Sequence, residues 1–328
     1  MYEGFYGFSA APFQLTPDAR FFYGSRGHSR AIAHLTFGLA QAEGFIIVTG
    51  EVGAGKTTLV ERLWEQLDRD TYTLVRISTT QLSGTDLFRL AMAGFGVPGA
   101  AERGNEDKAS MLLGFEQVLR EHRQAGRRCL LVVDEVQNLS LAALEELRML
   151  SNITEEGRAS LQTILLGQPQ FRRMLASPDL DQLRQRVLAS YHLGPLGEEE
   201  TRAYVEHRLS TVGWQDNPHF APEAFAALYR STGGIPRRVN RLCARVLLYG
   251  ALEQSQAISA EMVEMTAQEL DQDLQGVPPP PALSPAARRG GYDGAETEEL
   301  YHRLEALERR VERRERVFQR LVDVLGHN

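Results

Sequence analysis

The stretch "FIIVTGEVGAGKTT", Phe45 to Thr58, constrains this chain more than any other. An apolar run ends at Gly50, and Gly50–Thr57 then matches the pattern G-x-x-x-x-G-K-[ST]. Apolar residues at helical spacing follow: Leu59, Val60, Leu63 and Leu67 share one face. Strand, glycine loop and helix in that order form the P-loop context. The glycines let backbone N–H groups wrap a phosphate, and the helix start adds partial positive charge. Gly50, Glu51, Val52, Gly53, Ala54, Gly55, Lys56, Thr57 and Thr58 are therefore the expected nucleotide-binding loop. Lys56 is expected to reach the β and γ phosphates, and the Thr57 hydroxyl to hold Mg²⁺. Of the 36 basic residues only Lys56 and Lys108 are lysines. A position that keeps lysine in so arginine-rich a chain needs a compact, rotatable ammonium.

A phosphate loop of this kind calls for an acidic residue at the end of another strand. "CLLVVDEVQNL" supplies it about 80 residues further on. Asp134 is the expected Mg²⁺ carboxylate, and Glu135 the base that polarises the attacking water. The competing reading is an Asp-Glu pair that caps the next helix. A further apolar run ends in "LLGQP", which places Gln168 beside Asp134 and Glu135 if the sheet is parallel. A polar residue that merely opens a loop is the alternative there. "LDQLRQRVLASYHL" offers Arg184 or Arg186 as an arginine supplied to a neighbouring subunit's nucleotide, with plain surface charge as the rival.

Further strand-like runs are Thr71–Ser78, Cys129–Asp134, Leu161–Gly167 and Ala189–Gly194. Helical patterns lie between them, as at Met111, Leu112, Phe115, Val118 and Leu119. Alternation of strand and helix predicts a parallel sheet covered on both faces. After Gly194 the strands are expected to stop, and four helical stretches form a small all-α unit up to about residue 275. One of them begins in "GGIPRRVNRLC": Pro236 suits a first turn, and Val239, Leu242, Cys243, Val246 and Leu247 make one apolar face. Arg237, Arg238, Arg241 and Arg245 fall outside that face, and periodicity does not choose among them.

Charge argues against a general nucleic-acid binder. Residues 276–328 hold nine arginines and nine acidic residues, so the first 275 carry the whole net charge of −7. Phosphate attraction drives most non-specific affinity for nucleic acid, and an acidic body lacks it. No apolar run reaches the length of a membrane span, and the first residues lack a secretory pattern. Cys129 and Cys243 both lie in apolar patterns, as free thiols in a reducing cytoplasm would.

These parts, in this order, resemble the AAA+ ATPases. More narrowly the chain is similar to secretion-associated ATPases of the GspA/ExeA type, including the exosortase (PEP-CTERM locus) subgroup. The residues that carry the resemblance are "PFQLTPDARFFY", "GFIIVTGEVGAGKTT", "VVDEVQNLS", "LLGQPQF", "LRQRV" and "GGIPRRVNRLC". The resemblance implies ATP–Mg²⁺ bound between an α/β domain and a helical lid, with hydrolysis moving the lid. By the same resemblance Gln168 falls at the sensor-1 position, Arg186 at the arginine-finger position and Arg237 at sensor 2. The usual Asp-Glu-Ala-Gln is here Asp134-Glu135-Val136-Gln137. GspA-type proteins typically continue into a membrane span and a peptidoglycan-binding region. Residues 1–328 contain neither, so cell-wall binding is not carried over and the shorter exosortase-associated form fits better. Implied partners are further copies of the chain and protein components of an envelope export system, with the chain in the cytoplasm or held against the inner membrane through partners. The core also resembles transposition ATPases of the TniB type, which act on DNA. A nucleotide-gated scaffold with little turnover is the third reading.

The expected organisation is an N-terminal segment plus AAA+ α/β domain at 1–195 and a helical lid at 196–275. A Pro/Gly-rich linker at 276–295 and a coiled-coil helix at 296–328 follow. In the last part Leu300, Leu304, Leu307, Val311, Phe318, Leu321 and Leu325 alternate by four and three, with Arg314 breaking the seam. Self-association or docking on a partner's helix is its expected role.

Overall fold

The computed structural model describes residues 2–16, 18–78, 82–98 and 108–275. The expected linker and coiled-coil helix lie outside the described residues. The chain begins with a short helix α1 (Tyr2–Tyr6) and a long α2 (Arg26–Gln41). It then alternates β1 (Phe45–Gly50), α3 (Lys56–Gln66), β2 (Tyr72–Ser78), α4 (Gly84–Gly94), α5 (Lys108–Gln124) and β3 (Arg128–Asp134). Next come α6 (Leu141–Leu150), β4 (Leu161–Gly167), α7 (Pro169–Leu175), a single turn α8 (Asp181–Arg184) and β5 (Val187–Leu193). The five strands form one parallel sheet in the order β2-β3-β4-β1-β5.

The sequence pattern explains the sheet. Every residue of β1 and β4, and all but the first of β3, is buried. Strands covered on both faces read as continuous apolar runs, not as alternation. Alternate residues then serve two cores. Phe45, Ile47, Leu131, Val133 and Leu165 face α4–α7, where Phe88, Phe115, Leu144 and Phe171 meet them. Ile46, Val48, Leu130, Val132 and Ile164 face α2 and α3, against Leu35, Leu39, Leu59 and Leu63. The order puts β1 between β4 and β5, so the segments after β1, β3 and β4 leave the same edge of the sheet close together. In open α/β sheets ligands bind at such a carboxyl edge.

Beyond the sheet, α9 (Glu198–Thr211), α10 (Pro222–Thr232), α11 (Pro236–Leu252) and α12 (Ala260–Gln275) form the all-α unit. Val239, Leu242, Cys243, Val246 and Leu247 of α11 are buried, as their spacing requires. Burial also pushes both thiol pKa values up: Cys129 to about 12, and Cys243 well above its usual range.

Two expectations need correction. Strands do not stop after Gly194: His219–Phe220 pairs in parallel with Ala257–Ile258 inside the helical unit. Two residues per strand are too few to show a period. The grouping of the N-terminal segment with the α/β domain also fails. Tyr6, Phe8, Phe13 and Phe21 belong to the core of the helical unit, with Tyr204, Leu209, Phe225 and Leu247. Large rings lower free energy wherever they leave water, and here the lid offers the apolar surface.

Arg208 fastens this N-terminal segment. It is 6% exposed, its Nε donates to the Pro12 carbonyl at 2.6 Å and its Nη1 to the Tyr204 hydroxyl at 2.9 Å. Its guanidinium lies over the rings of Phe21, Tyr204 and Phe13, at 4.6, 5.7 and 5.9 Å. Within the helical unit Gly234 (φ +67) packs against the start of that unit, its carbonyl accepting from the Leu196 N–H at 2.9 Å. A Cβ there would stand 2.0 Å from the Leu196 carbonyl oxygen, so only glycine fits. Arg208→Ala orphans two acceptors and removes three ring contacts. It should lower stability by about 2–4 kcal/mol in urea denaturation and speed proteolysis of the N-terminal segment.

Candidate functional site

The loop after β1 has the geometry of an anion cradle. Gly53 (φ +83) and Gly55 (φ +99) adopt left-handed backbone that L side chains rarely take. α3 starts at Lys56, and its N-cap Gly55 supplies no side-chain hydrogen bond. First-turn N–H groups without a side-chain cap, with the helix dipole behind them, favour a bound phosphate. Lys56 is 5% exposed and folds back on the loop, its Nζ donating to the carbonyls of Gly50 (2.8 Å) and Glu51 (3.0 Å). Burial lowers its pKa, while Glu135, Asp134 and Glu51 oppose that shift.

A cavity of about 350 Å³ lies over the loop. Val52, Gly53, Gly55, Lys56, Thr57 and Thr58 line it. Ala54 instead packs into the core, and Gly50 and Glu51 contribute the carbonyls that hold Lys56.

Thr57 and Asp134 meet at the loop's end, the Thr57 Oγ1 donating to Asp134 Oδ2 at 2.8 Å. A hydroxyl and a carboxylate oxygen this close are hard donors that suit Mg²⁺, which takes one or two protein oxygens and fills its other positions with water and phosphate. The other oxygen, Asp134 Oδ1, accepts the Glu135 N–H at 2.9 Å.

Glu135 opens the 3-10 turn Val136–Asn138, but its side chain makes no capping bond there. The following α6 is capped by Ser140, whose Oγ accepts from the Ala143 N–H at 3.2 Å. Glu135 itself has φ +53, a left-handed backbone that costs a non-glycine residue on the order of 1 kcal/mol or more. That turn aims its carboxylate at the cavity. Two amides hold it there: Gln168 Nε2 donates to Glu135 Oε2 at 3.0 Å, and Gln137 Nε2 donates to the same oxygen. Gln137 Oε1 in turn accepts the Gln168 N–H at 2.9 Å. Burial pushes the Glu135 pKa up, but the bonds from Gln168 and Gln137 and the charge of Lys56 outweigh it, so it lies below the usual glutamate value. The group is an ionised acceptor at neutral pH.

The lid closes the other side. The Arg237 N–H, in the first turn of α11, donates to the Gly53 carbonyl at 3.2 Å. Arg237 lines the cavity together with Asn240, Tyr204 and Arg208 of the same unit. Arg238, Arg241 and Arg245 do not line it, and Arg245 pairs with Asp273. Arg184 and Arg186 do not line it either. Arg184 pairs with Asp181 at 2.7 Å, and Arg186 Nη1 donates to the carbonyl (3.0 Å) and hydroxyl (3.1 Å) of Ser151.

Several cavity residues carried no role in the sequence reading. Gln14, Leu15, Thr16 and Asp18 form a wall from the "PFQLTPD" segment, which served only to mark the resemblance. Buried His28 also lines the cavity; its Nδ1 meets Ser25 Oγ at 2.7 Å, and burial lowers its pKa. Gln137 was visible within "DEVQNL" but had no reason to differ from a loop amide. Arg76 and Arg208 are single arginines among many; their partners set them apart, and for Arg208 its burial as well.

Residues 39–175 match the family model of an AAA domain. The chain is 37% identical over 274 residues to general secretion pathway protein A of Aeromonas hydrophila, a match that covers 82% of this chain and 48% of that protein. The chain has the P-loop AAA+ fold and is similar to general secretion pathway protein A. This AAA+ chain thus spans about half the length of the curated relative it matches. Its fold is also that of two solved structures. One is the Aeropyrum pernix ORC2 protein in ADPNP-ADP complexes (TM-score 0.61, 16% identity, 80% of this chain and 72% of that one). The other is Cdc6p of Pyrobaculum aerophilum (TM-score 0.60, 16% identity, 80% and 75%).

Two outcomes follow from this geometry. A Cβ on Gly53 would stand 2.2 Å from the Arg237 Cβ. Gly53→Ala should therefore lift the lid from the loop and weaken nucleotide binding roughly ten-fold or more in fluorescence anisotropy. Gln168→Leu removes a bond that holds the Glu135 pKa down. The Glu135 side-chain carbonyl, followed by NMR, should then titrate at higher pH than in the wild type.

Proposed function

We propose that this chain binds ATP with Mg²⁺ in the cavity between sheet and lid and hydrolyses it. The observation that carries the reading is the convergence at one sheet edge of the buried Lys56 ammonium, the Thr57–Asp134 pair and the amide-held Glu135. Lys56 neutralises the β and γ phosphates and fixes their place at the start of α3. Thr57 and Asp134 hold Mg²⁺, which offsets the charge that develops on the phosphate oxygens. Glu135 accepts the proton of the attacking water, and Gln168 and Gln137 keep its carboxylate ionised and aimed. Arg237 reaches the phosphates from the lid, so lid position follows the nucleotide state. Arg186, with Arg184 as the alternative, completes the site of an adjacent copy, because neither lines the cavity of its own chain. Hydrolysis is thereby coupled to self-association.

The work is done on protein partners of an envelope export system, with the chain in the cytoplasm or at the inner membrane through those partners. The 37% identity to general secretion pathway protein A supports this over DNA transposition, as does the acidic balance of residues 1–275. Within that class the exosortase-associated subgroup is the finer reading we propose. Lys56→Ala should abolish binding of a fluorescent ATP analogue. Glu135→Gln should keep that binding and lose about 10²-fold or more in phosphate release. Wild-type turnover in Glu135→Gln removes the catalytic assignment.

A further inference from the structure

Arg76 occupies a place the proposed chemistry leaves unexplained. Its neighbours on β2, Val75 and Ile77, point into the core with α4, so Arg76 points to the opposite face, the one that α3 covers. There its guanidinium divides between two carboxylates. Nη1 meets Glu61 Oε1 of α3 at 3.1 Å, and Nη2 meets Asp134 Oδ2 at 3.2 Å. The Asp134 side chain is 8% exposed, whereas that of Glu61 is 43% exposed. The oxygen that Arg76 holds is the one that also accepts the Thr57 hydroxyl. Arg76 thus stands where a divalent cation joining Thr57 and Asp134 would feel its charge. Two cations a few ångströms apart repel, and one must be neutralised or move.

We propose that Arg76 is a positioning residue for the metal site: it neutralises Asp134 before Mg²⁺ arrives and passes to Glu61 when Mg²⁺ binds. This rests on the Mg²⁺–nucleotide reading of the cavity. A buried carboxylate without a counter-ion beside the phosphates would repel them. Arg76 removes that repulsion in the metal-free state. The same positive charge opposes Mg²⁺, and Glu61 at the solvent side offers the guanidinium a second seat. The pair therefore sets the Mg²⁺ concentration at which the site loads.

The test is binding of a fluorescent ATP analogue to the full chain, by anisotropy, in EDTA and across a Mg²⁺ titration. Arg76→Gln should lower the half-saturating Mg²⁺ concentration roughly three- to ten-fold, the effect of one charge a few ångströms away under water-like screening, as suits a side chain as exposed as this one. It should also weaken metal-free nucleotide binding, an opposite change that general loss of structure does not give. Glu61→Gln should raise the half-saturating Mg²⁺ concentration about two-fold or more, because Arg76 then stays on Asp134. A half-saturating Mg²⁺ concentration unchanged or raised in Arg76→Gln overturns the proposal. So does a Glu61→Gln shift that is absent or downward, which decides the matter alone if Arg76→Gln does not fold. A wild-type chain that binds no nucleotide overturns the functional reading as well. Normal Mg²⁺-dependent binding with unresponsive variants overturns only the role of Arg76.

Discussion

Lys56 carries its positive charge into a place with little water, and much of the site compensates for it. The ammonium is 5% exposed and is held by two carbonyls of its own loop. Burial lowers its pKa, and Glu135, Asp134 and Glu51 act against that. Glu135 is held ionised by amides from Gln168 and Gln137, and Asp134 has partners of its own in Thr57, Arg76 and a backbone N–H. In the proposed reading a bound phosphate chain would lie against the same ammonium. The strand order β2-β3-β4-β1-β5 makes this possible, since it delivers three loop segments to one edge.

The lid is tied to the same cavity through the N-terminal segment. Phe13 and Phe21 pack in the lid core, while Gln14, Leu15, Thr16 and Asp18 line the cavity. Arg208 belongs to both regions, bonded to Pro12 and stacked on Phe21. One side of the nucleotide cavity is therefore built on the lid's own core. The contact from Arg237 to Gly53 joins that body to the phosphate loop across a single backbone hydrogen bond.

Much of this was legible in the sequence because fully buried parallel strands leave unbroken apolar runs. β1 and β4 match their sequence-derived bounds, and α3 begins at the lysine that ends the glycine pattern. Asp134 and Glu135 were legible as an acidic pair closing such a run. Other features left no pattern. The two-residue strands at Phe220 and Ile258 are shorter than any period. The N-terminal rings have no regular spacing, so their partner was hidden until the lid was folded. Arg76 and Arg208 differ from surface arginines only in what surrounds them, and sequence spacing carries no such information in an arginine-rich chain.

The central claim is that the sheet edge and the lid together enclose a Mg²⁺–nucleotide. The most direct measurement is a crystal structure of the full chain with a non-hydrolysable ATP analogue and Mg²⁺. The account predicts the terminal phosphate against Lys56, the metal joining Thr57 and Asp134, and Arg237 turned toward the phosphates. A nucleotide bound elsewhere, or one whose phosphates lie outside the loop of residues 50–57, would contradict it.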